Sequence, residues 1–388
     1  MLSSYLPTTI FSSRDQMRKW LWRFLPSPKA LRTETVGIDL SEQTIKYVAL
    51  RLEKGSPRVW VWGKRSCGDA LISGTTIGNP DALVAHLRKI FLRTGRAEAR
   101  VSLGEEAGYL FRVAVAPARS FEELRAQVEF QLAENIPLGP GEVVFDAVPA
   151  AHLGDTVLVD VAAYPKKIIE DLTNLFARAG MRLISLEIEG SAIARSVIPF
   201  GERGAFFLAD IGQTEAAVYV IENGHLLFSA KLPVGGAHFT EALRAALGNT
   251  NDEEIEDLKR TTNFFVDSAE ESLSSAAQAA RDVADQLVEA MRRHIVYWQE
   301  HTPTGGHTHA PLRSVTMVGG TVRMPGFTAY VSRALRMPVE IGNVWSNFPP
   351  TSKVIPPIPQ KESVQYATAI GLTLRDVLPA LAPVSQWM

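Results

Sequence analysis

The stretch Val36–Leu50, "VGIDLSEQTIKYVAL", decides the fold. An apolar run closes on Asp39, a polar bend follows, and a second apolar run begins. A plain hairpin would favour Asn-Gly at such a bend. An acidic residue at the end of the first run asks for another role. A related stretch, "FFLADIGQTEAAVYVIENG", returns at Phe206–Gly224. With one gap, "DLSEQTIKYVALRLEKG" and "DIGQTEAAVYVIENG" share an Asp, a small bend, Gln-Thr, an apolar strand and a charged turn. Such self-similarity implies two halves built on one plan. An Asp at a strand end beside a tight turn suits a phosphate site. The turn's backbone N–H groups can face anionic oxygens, and the carboxylate can hold Mg²⁺ or its water. Two such turns facing each other would clamp a triphosphate.

Outward from Val36 the chain alternates strands and helices. Val36–Asp39, Tyr47–Leu52 and Val59–Trp62 read as strands. "PDALVAHLRKIFLRTG" carries Leu83, Leu87, Ile90 and Phe91 on one helical face and stops at Gly95. Residues 106–165 read as a separate small α+β module. In it a helix opens with Ser120 as N-cap and Glu123 three residues on, a capping box. A helix ending at Gly180 leads to "MRLISLEIEGSAIARSVI". From Phe206 a three-strand meander turns at Asn223-Gly224, and residues 238–300 are largely helical. "SVTMVGG" is a strand ending in a glycine pair that lets a ligand approach the backbone closely. Residues 343–360 are proline-rich, and "SVQYATAIGLTLRDV" is the last helix.

The whole chain bounds the function. With 388 residues it exceeds one ordinary domain, so two or more lobes are expected. A balance of 40 Lys plus Arg against 42 Asp plus Glu gives no reason to expect a nucleic-acid partner. The single cysteine, Cys67, cannot form an intramolecular disulfide and reads as a small apolar residue. No run of about 18 apolar residues occurs. The first thirty residues also lack the uncharged core and cleavage site of a signal peptide. The expectation is a cytoplasmic protein whose contact with a membrane runs through partners. Residues 1–35 stand apart. As a helix, "RDQMRKWLWRFLPSP" would show an aromatic side and a basic side. Two readings stay open: a helix on an anionic membrane surface, or an appended helix or tail that packs on the body.

Three segments in order are similar to the actin–DnaK–sugar-kinase superfamily: "GIDLSEQTIK", "ADIGQTEAAVYV" and "VTMVGGTVRMPGF". Within it the chain resembles the PilM family of type IV pilus assembly proteins. That match is carried by "PARSFEELRAQVEFQLAENIPLGPGEVVFD", "LEIEGSAIAR", "KLPVGGAHFTEAL" and "YATAIGLTLRD", across about residues 36–376. The resemblance implies a two-lobed actin-like α/β fold, a duplicated RNase H-like plan. The first lobe is expected at 36–200 with a small subdomain inserted at about 106–165, as in the cell-division protein FtsA. The second lobe is expected at 201–345, including a helical subdomain at about 238–300. A proline-rich segment and a C-terminal helix, 346–388, are expected to pack back on the first lobe.

It also implies ATP and Mg²⁺ as cofactors. The expected nucleotide-site residues are Asp39, Ser41, Glu42, Gln43, Thr44 and Lys46 from the first turn, and Asp210, Gly212, Gln213 and Thr214 from the second. Gly319, Gly320 and Thr321 form the adenosine segment, and Asp39 and Asp210 hold Mg²⁺ through water. The first turn departs from the usual Asp-Ile-Gly: Ser41 stands for Gly, and Glu42 stands where a small hydroxyl is usual. Thr321-Val322 stands where Gly-Ser is usual. Turnover, if present, is that of a slow ATPase. It needs a residue to orient water, for which Glu187 and Glu189 are candidates; the alternative is a carboxylate capping the helix near Gly190.

The implied partner is the cytosolic N-terminal peptide of a PilN-like inner-membrane protein, bound between the first lobe and the inserted subdomain. The implied location is the inner face of the inner membrane. The segment "SSYLPTTI" resembles the Leu-Pro peptides of PilN-like proteins, which adds self-association to the expected partners. Two alternatives remain: an FtsA-like filament-forming ATPase, and a nucleotide-free scaffold of a type II secretion-like machine. His294, His301, His307 and His309 read as a solvated connector, not a metal site.

Overall fold

The computed structural model describes residues 34–53, 56–68, 71–248, 251–266, 271–300, 309–349 and 355–377. The amphipathic segment, "SSYLPTTI", His301 and His307 lie outside the described residues, as does the chain after Val377. No helix among the described residues is long and apolar enough to cross a membrane.

Two five-stranded sheets repeat one plan. In the first, β1 (Val36–Leu40), β2 (Thr44–Glu53) and β3 (Ser56–Ser66) form an antiparallel meander. Next come the small pair β4 (Ile72–Ser73) and β5 (Thr76–Ile77) and the helix Pro80–Thr94. β6 (Glu98–Leu103) lies parallel to β1, and β10 (Arg182–Ile188) lies parallel to β6, so the order is β10-β6-β1-β2-β3. In the second sheet β11 (Ala205–Ile211), β12 (Ala216–Glu222) and β13 (His225–Leu232) form the meander. With β14 (Leu312–Val318) and β15 (Val339–Ile341) the order is β13-β12-β11-β14-β15. Each sheet therefore reads third, second, first, fourth, fifth along its own half. The repeat seen in two short segments extends to the whole topology.

β1 is buried at all five positions. A central strand covered by helices on both faces has no solvent side to alternate toward. The helix Pro80–Thr94 begins with the Asn79 side chain accepting the Ala82 N–H and ends where Gly95 turns left-handed, at φ 64°.

Between β6 and the helix Lys166–Arg178 the chain makes a separate three-stranded sheet. β7 (Tyr109–Val115), β8 (Val143–Leu153) and β9 (Thr156–Pro165) pair in the order β7-β9-β8, backed by the helix Phe121–Asn135. This sheet has its own core around Val113, Val128, Leu132 and Val159. Ser120 accepts the Glu123 N–H at 3.1 Å. The reciprocal bond runs from the Arg119 N–H to Glu123, one residue earlier than a standard capping box. The second lobe's additions sit elsewhere: the helices Gly236–Leu247, Asp252–Thr261 and Glu271–Glu300 fall between β13 and β14.

Two helices lie at the join of the lobes, Glu189–Val197 and Ala367–Leu374. The second is buried at all eight positions. They approach so closely that a Cβ on Gly371 would stand 1.7 Å from the Ala192 carbonyl oxygen.

Candidate functional site

The repeated plan puts Asp39 and Asp210 in equivalent places. Asp39 pairs across β1 with Lys46 of β2 and Ser102 of β6; Asp210 pairs with Ala217 of β12 and Val318 of β14. The two strand ends meet at a cleft of about 460 Å³ between the lobes. Of the residues expected from the sequence, Ser41, Glu42, Gln43, Thr44, Lys46, Asp210, Gly212, Gln213, Thr214, Gly319, Gly320 and Thr321 all line this cleft. Asp39 lies just beneath it, with 2% of its surface exposed.

Backbone contacts pin both turns. In the first, the Ser41 N–H bonds the Thr44 carbonyl, while Cys67 and Leu71 donate to the carbonyls of Gln43 and Glu42. Ser41, where a glycine was expected, donates its hydroxyl to Asp39 at 3.2 Å. Glu42 accepts from Ser73 of β4 at 3.4 Å. In the second turn, the carbonyls of Gly212 and Gln213 accept from the N–H groups of Gly236 and Ala237. Thr321 Oγ1 also donates to the Gly212 carbonyl at 3.2 Å, so its side chain braces the turn. Gly319 sits at φ 97°, and a Cβ there would stand 2.4 Å from Asp210 Oδ1. Only a glycine admits this approach to the carboxylate.

One lysine organises the charge. Lys46 Nζ lies 2.8 Å from Asp39 Oδ2. Burial opposes its charge, yet the carboxylates of Asp39 and Asp210 outweigh burial and hold its pKa above the usual lysine value. Burial pushes Asp210 from 3.8 up to about 6, with Lys46 opposing and Asp39 adding. Burial likewise raises Glu189 well above the usual value, helped by Asp39, Glu105 and Asp210. Glu105 is raised by burial as well, and its Oε1 is buried without a hydrogen-bond partner. Carboxyl groups crowded around Lys46 in a buried site disfavour one another's ionisation, so a further cation there would be favoured. Their oxygen donors suit a hard divalent cation, and two carboxylates are enough when phosphates and water complete the shell.

The two catalytic candidates part company. Glu189 faces the cleft, and the Tyr219 hydroxyl of β12 lies 3.4 Å from its Oε2. Glu187 points the other way. It is buried between Arg195 and Arg375, each at 2.8 Å, and these two guanidinium groups overcome burial to hold its pKa below the usual value. Neither serves as a side-chain N-cap: the helix starts at Glu189 after Ile188, without a capping side chain. Sequence reasoning missed Glu105, Glu106, Glu215 and Lys231, which also line the cleft. Gly104 after β6 stands where Gly319 stands after β14, a symmetry that could have marked the adjacent Glu105. His309 stacks on Trp298 and bonds Glu222, as part of the strand-end packing. Among the described residues no group of three or more His, Cys, Asp or Glu is arranged to hold a metal alone.

A second concavity, about 690 Å³, lies between the inserted sheet and the first lobe. Two edge strands border it, β8 of the inserted sheet and β10 of the first. Val144 and Val148 of β8 are 41% and 39% exposed, and Leu183 and Leu186 of β10 face the same space. Arg375 and Arg100 border it too; Arg100 is held by Ser185 at 3.0 Å and Asp376 at 2.6 Å. Edge strands carry unpaired backbone groups, so this groove offers hydrogen bonds as well as apolar walls.

Comparison with known proteins agrees with this architecture. The family profile described as type IV pilus assembly protein PilM matches residues 37–377. A solved PilM–PilN type IV pilus biogenesis complex aligns with TM-score 0.72 at 21% identity, covering 90% of this chain and 100% of that one. MreB5 of Spiroplasma citri bound to AMPPNP aligns with TM-score 0.50 at 14% identity, over 89% and 96% of the two chains. These likenesses establish an actin-like fold. The cell-division protein FtsA of Bacillus subtilis is 23% identical over 193 residues, 46% of this chain. That match spans 43% of FtsA, less than half the length of this curated relative.

Proposed function

The chain belongs to the PilM family of type IV pilus assembly proteins, and from that premise we propose a nucleotide-binding scaffold that holds a peptide of a PilN-like protein. One observation carries the nucleotide part: Asp39 and Asp210 stand at equivalent positions near the ends of equivalent strands on opposite lobes, with Lys46 2.8 Å from Asp39 and lining the cleft beside Asp210. The turns Ser41–Thr44 and Gly212–Thr214 would cradle phosphates, Lys46 would neutralise them, and Asp39 and Asp210 would hold the water shell of Mg²⁺. Gly319, Gly320 and Thr321 would take the adenosine. Bound Mg²⁺ would be the further cation that these crowded carboxyl groups favour. Glu189, the candidate that faces the cleft, is the one suited to orient a water molecule.

The partner reading rests on the groove and on the fold likeness to a PilM–PilN complex. An extended apolar peptide, the cytosolic N-terminus of a PilN-like protein, would add to β10 or β8 and bury its anchors against Val144, Val148 and Leu183. This would hold the protein peripherally at the inner face of the inner membrane.

Calorimetry of Mg–ATP on wild type and Asp210→Asn tests the first part. Micromolar binding lost in the variant is expected. No heat at millimolar ATP, in folded protein cleared of copurified nucleotide, would make this a pseudo-ATPase scaffold. Fluorescence anisotropy of the labelled PilN-like peptide tests the second: Val148→Glu should weaken binding at least about tenfold, because it places a charge on the apolar wall.

A further inference from the structure

One strand of the second lobe reaches both concavities. At its cleft end Lys231 Nζ lies 2.7 Å from Glu106 and 2.5 Å from Glu215. At its groove end His225 Nδ1 lies 2.6 Å from Asp160 Oδ2, while the other Asp160 oxygen accepts Arg112 Nε at 2.6 Å. About 20 Å of extended chain separates the two ends of β13. The groove-end clasp grips the inserted sheet, and the cleft-end clasp grips the turn that leads into it. Glu106 lies just before β7, and Arg112 and Asp160 face each other in register on β7 and β9. The groove-end clasp is partly buried, at 20%, 14% and 15% side-chain exposure for His225, Asp160 and Arg112, so solvent screens it less than a surface pair. The inserted sheet, part of the first lobe by chain order, is thus fastened to the second lobe directly at Asp160 and, at its entry, through Glu106. Its other neighbour across the groove, β10, belongs to the first-lobe sheet.

We propose that β13 couples the two concavities: when the lobes move about a nucleotide in the cleft, β13 carries the inserted sheet with it, and the spacing between edge strands β8 and β10 changes. Affinity for an extended apolar peptide in the groove then depends on the occupant of the cleft. This rests on the two-site reading above and adds to it the connecting element and its residues. The coupling is reciprocal, since the factor by which nucleotide changes peptide affinity equals the factor by which peptide changes nucleotide affinity.

The test uses the full chain, Mg–AMPPNP, and a fluorescein-labelled cytosolic N-terminal peptide of the PilN-like protein. Each ligand's Kd is measured alone and with the other saturating. In wild type the two ratios should agree and differ from one by about fivefold or more. His225→Leu and Lys231→Leu, singly and together, should bring the ratio below about twofold, while Lys231→Arg keeps it. A direct effect of a variant on one ligand leaves the ratio intact and so does not imitate uncoupling. Should a leucine variant fail to fold, Asp160→Asn weakens the groove-end clasp from the inserted-sheet side, where its carboxylate takes His225, and is expected to lower the ratio likewise. Wild type failing to bind either ligand alone refutes the two-site reading and the coupling with it. Both ligands binding with a ratio of one, or with a ratio that clasp variants leave unchanged, refutes the coupling alone.

Discussion

Replacing Asp210 with asparagine is expected to stabilise the ligand-free chain at neutral pH while abolishing Mg–nucleotide binding. Folding raises the pKa of this carboxyl from 3.8 to about 6, because burial outweighs the attraction of Lys46. Between those values the folded chain binds more protons than the unfolded one. The carboxyl's favourable contribution is therefore complete below pH 3.8, declines as pH rises, and is gone above about pH 6. The difference amounts to about 3 kcal/mol, reduced to about 2 kcal/mol because the side chain is partly open to cleft water. An asparagine never ionises, so the variant should exceed wild type by about that amount at pH 7.5 and by little at pH 4. Urea unfolding followed by fluorescence of the seven tryptophans, at both pH values, measures it. Mg–ATP should raise the wild-type midpoint and leave that of the variant unmoved. A variant no more stable than wild type at pH 7.5, or a gap that does not shrink on acidification, would refute the reasoning.

Other consequences follow from single contacts. Gly371→Ala drives a Cβ into the Ala192 carbonyl of the crossing helix, whose backbone cannot yield. A loss of about 3 kcal/mol or more is expected in urea unfolding, and a loss below about 1 kcal/mol would show that the helices separate freely. Glu187→Gln leaves the Arg195 guanidinium without its carboxylate and should cost about 3 kcal/mol, seen as a thermal midpoint several degrees lower. Glu189→Gln should slow ATP turnover about a hundredfold while Mg–ATP affinity stays within about threefold; undiminished turnover would remove Glu189 from the chemistry.

The repeat was legible because it is local. Strand, acidic residue, bend and strand occupy fifteen consecutive residues around Asp39, and the same order recurs at Asp210. Helix stops were legible for a similar reason: Gly95 and Gly180 adopt positive φ, which a side chain would resist. The short strands β4 and β5 escaped notice, since two residues each carry no periodicity. Glu105 and Lys231 escaped as well. Each lies in an ordinary-looking stretch and becomes part of the cleft only when the lobes meet.

What the sequence determined by itself is the plan of each half, because pairing register, turn chemistry and apolar pattern act between near neighbours in the chain. It also marked both acidic strand ends. Tertiary structure alone decided which glutamate faces the cleft. Glu187 and Glu189 are two residues apart, with equal claims on paper; Arg375, 188 residues from Glu187, joins Arg195 to hold Glu187 away, while Tyr219 of the other lobe stands beside Glu189. The two clasps on β13 are of the same kind, joining His225 to Asp160 across 65 residues. Charge balance in a buried site is set by all the groups packed around it, whatever their distance along the chain, and no local pattern records it.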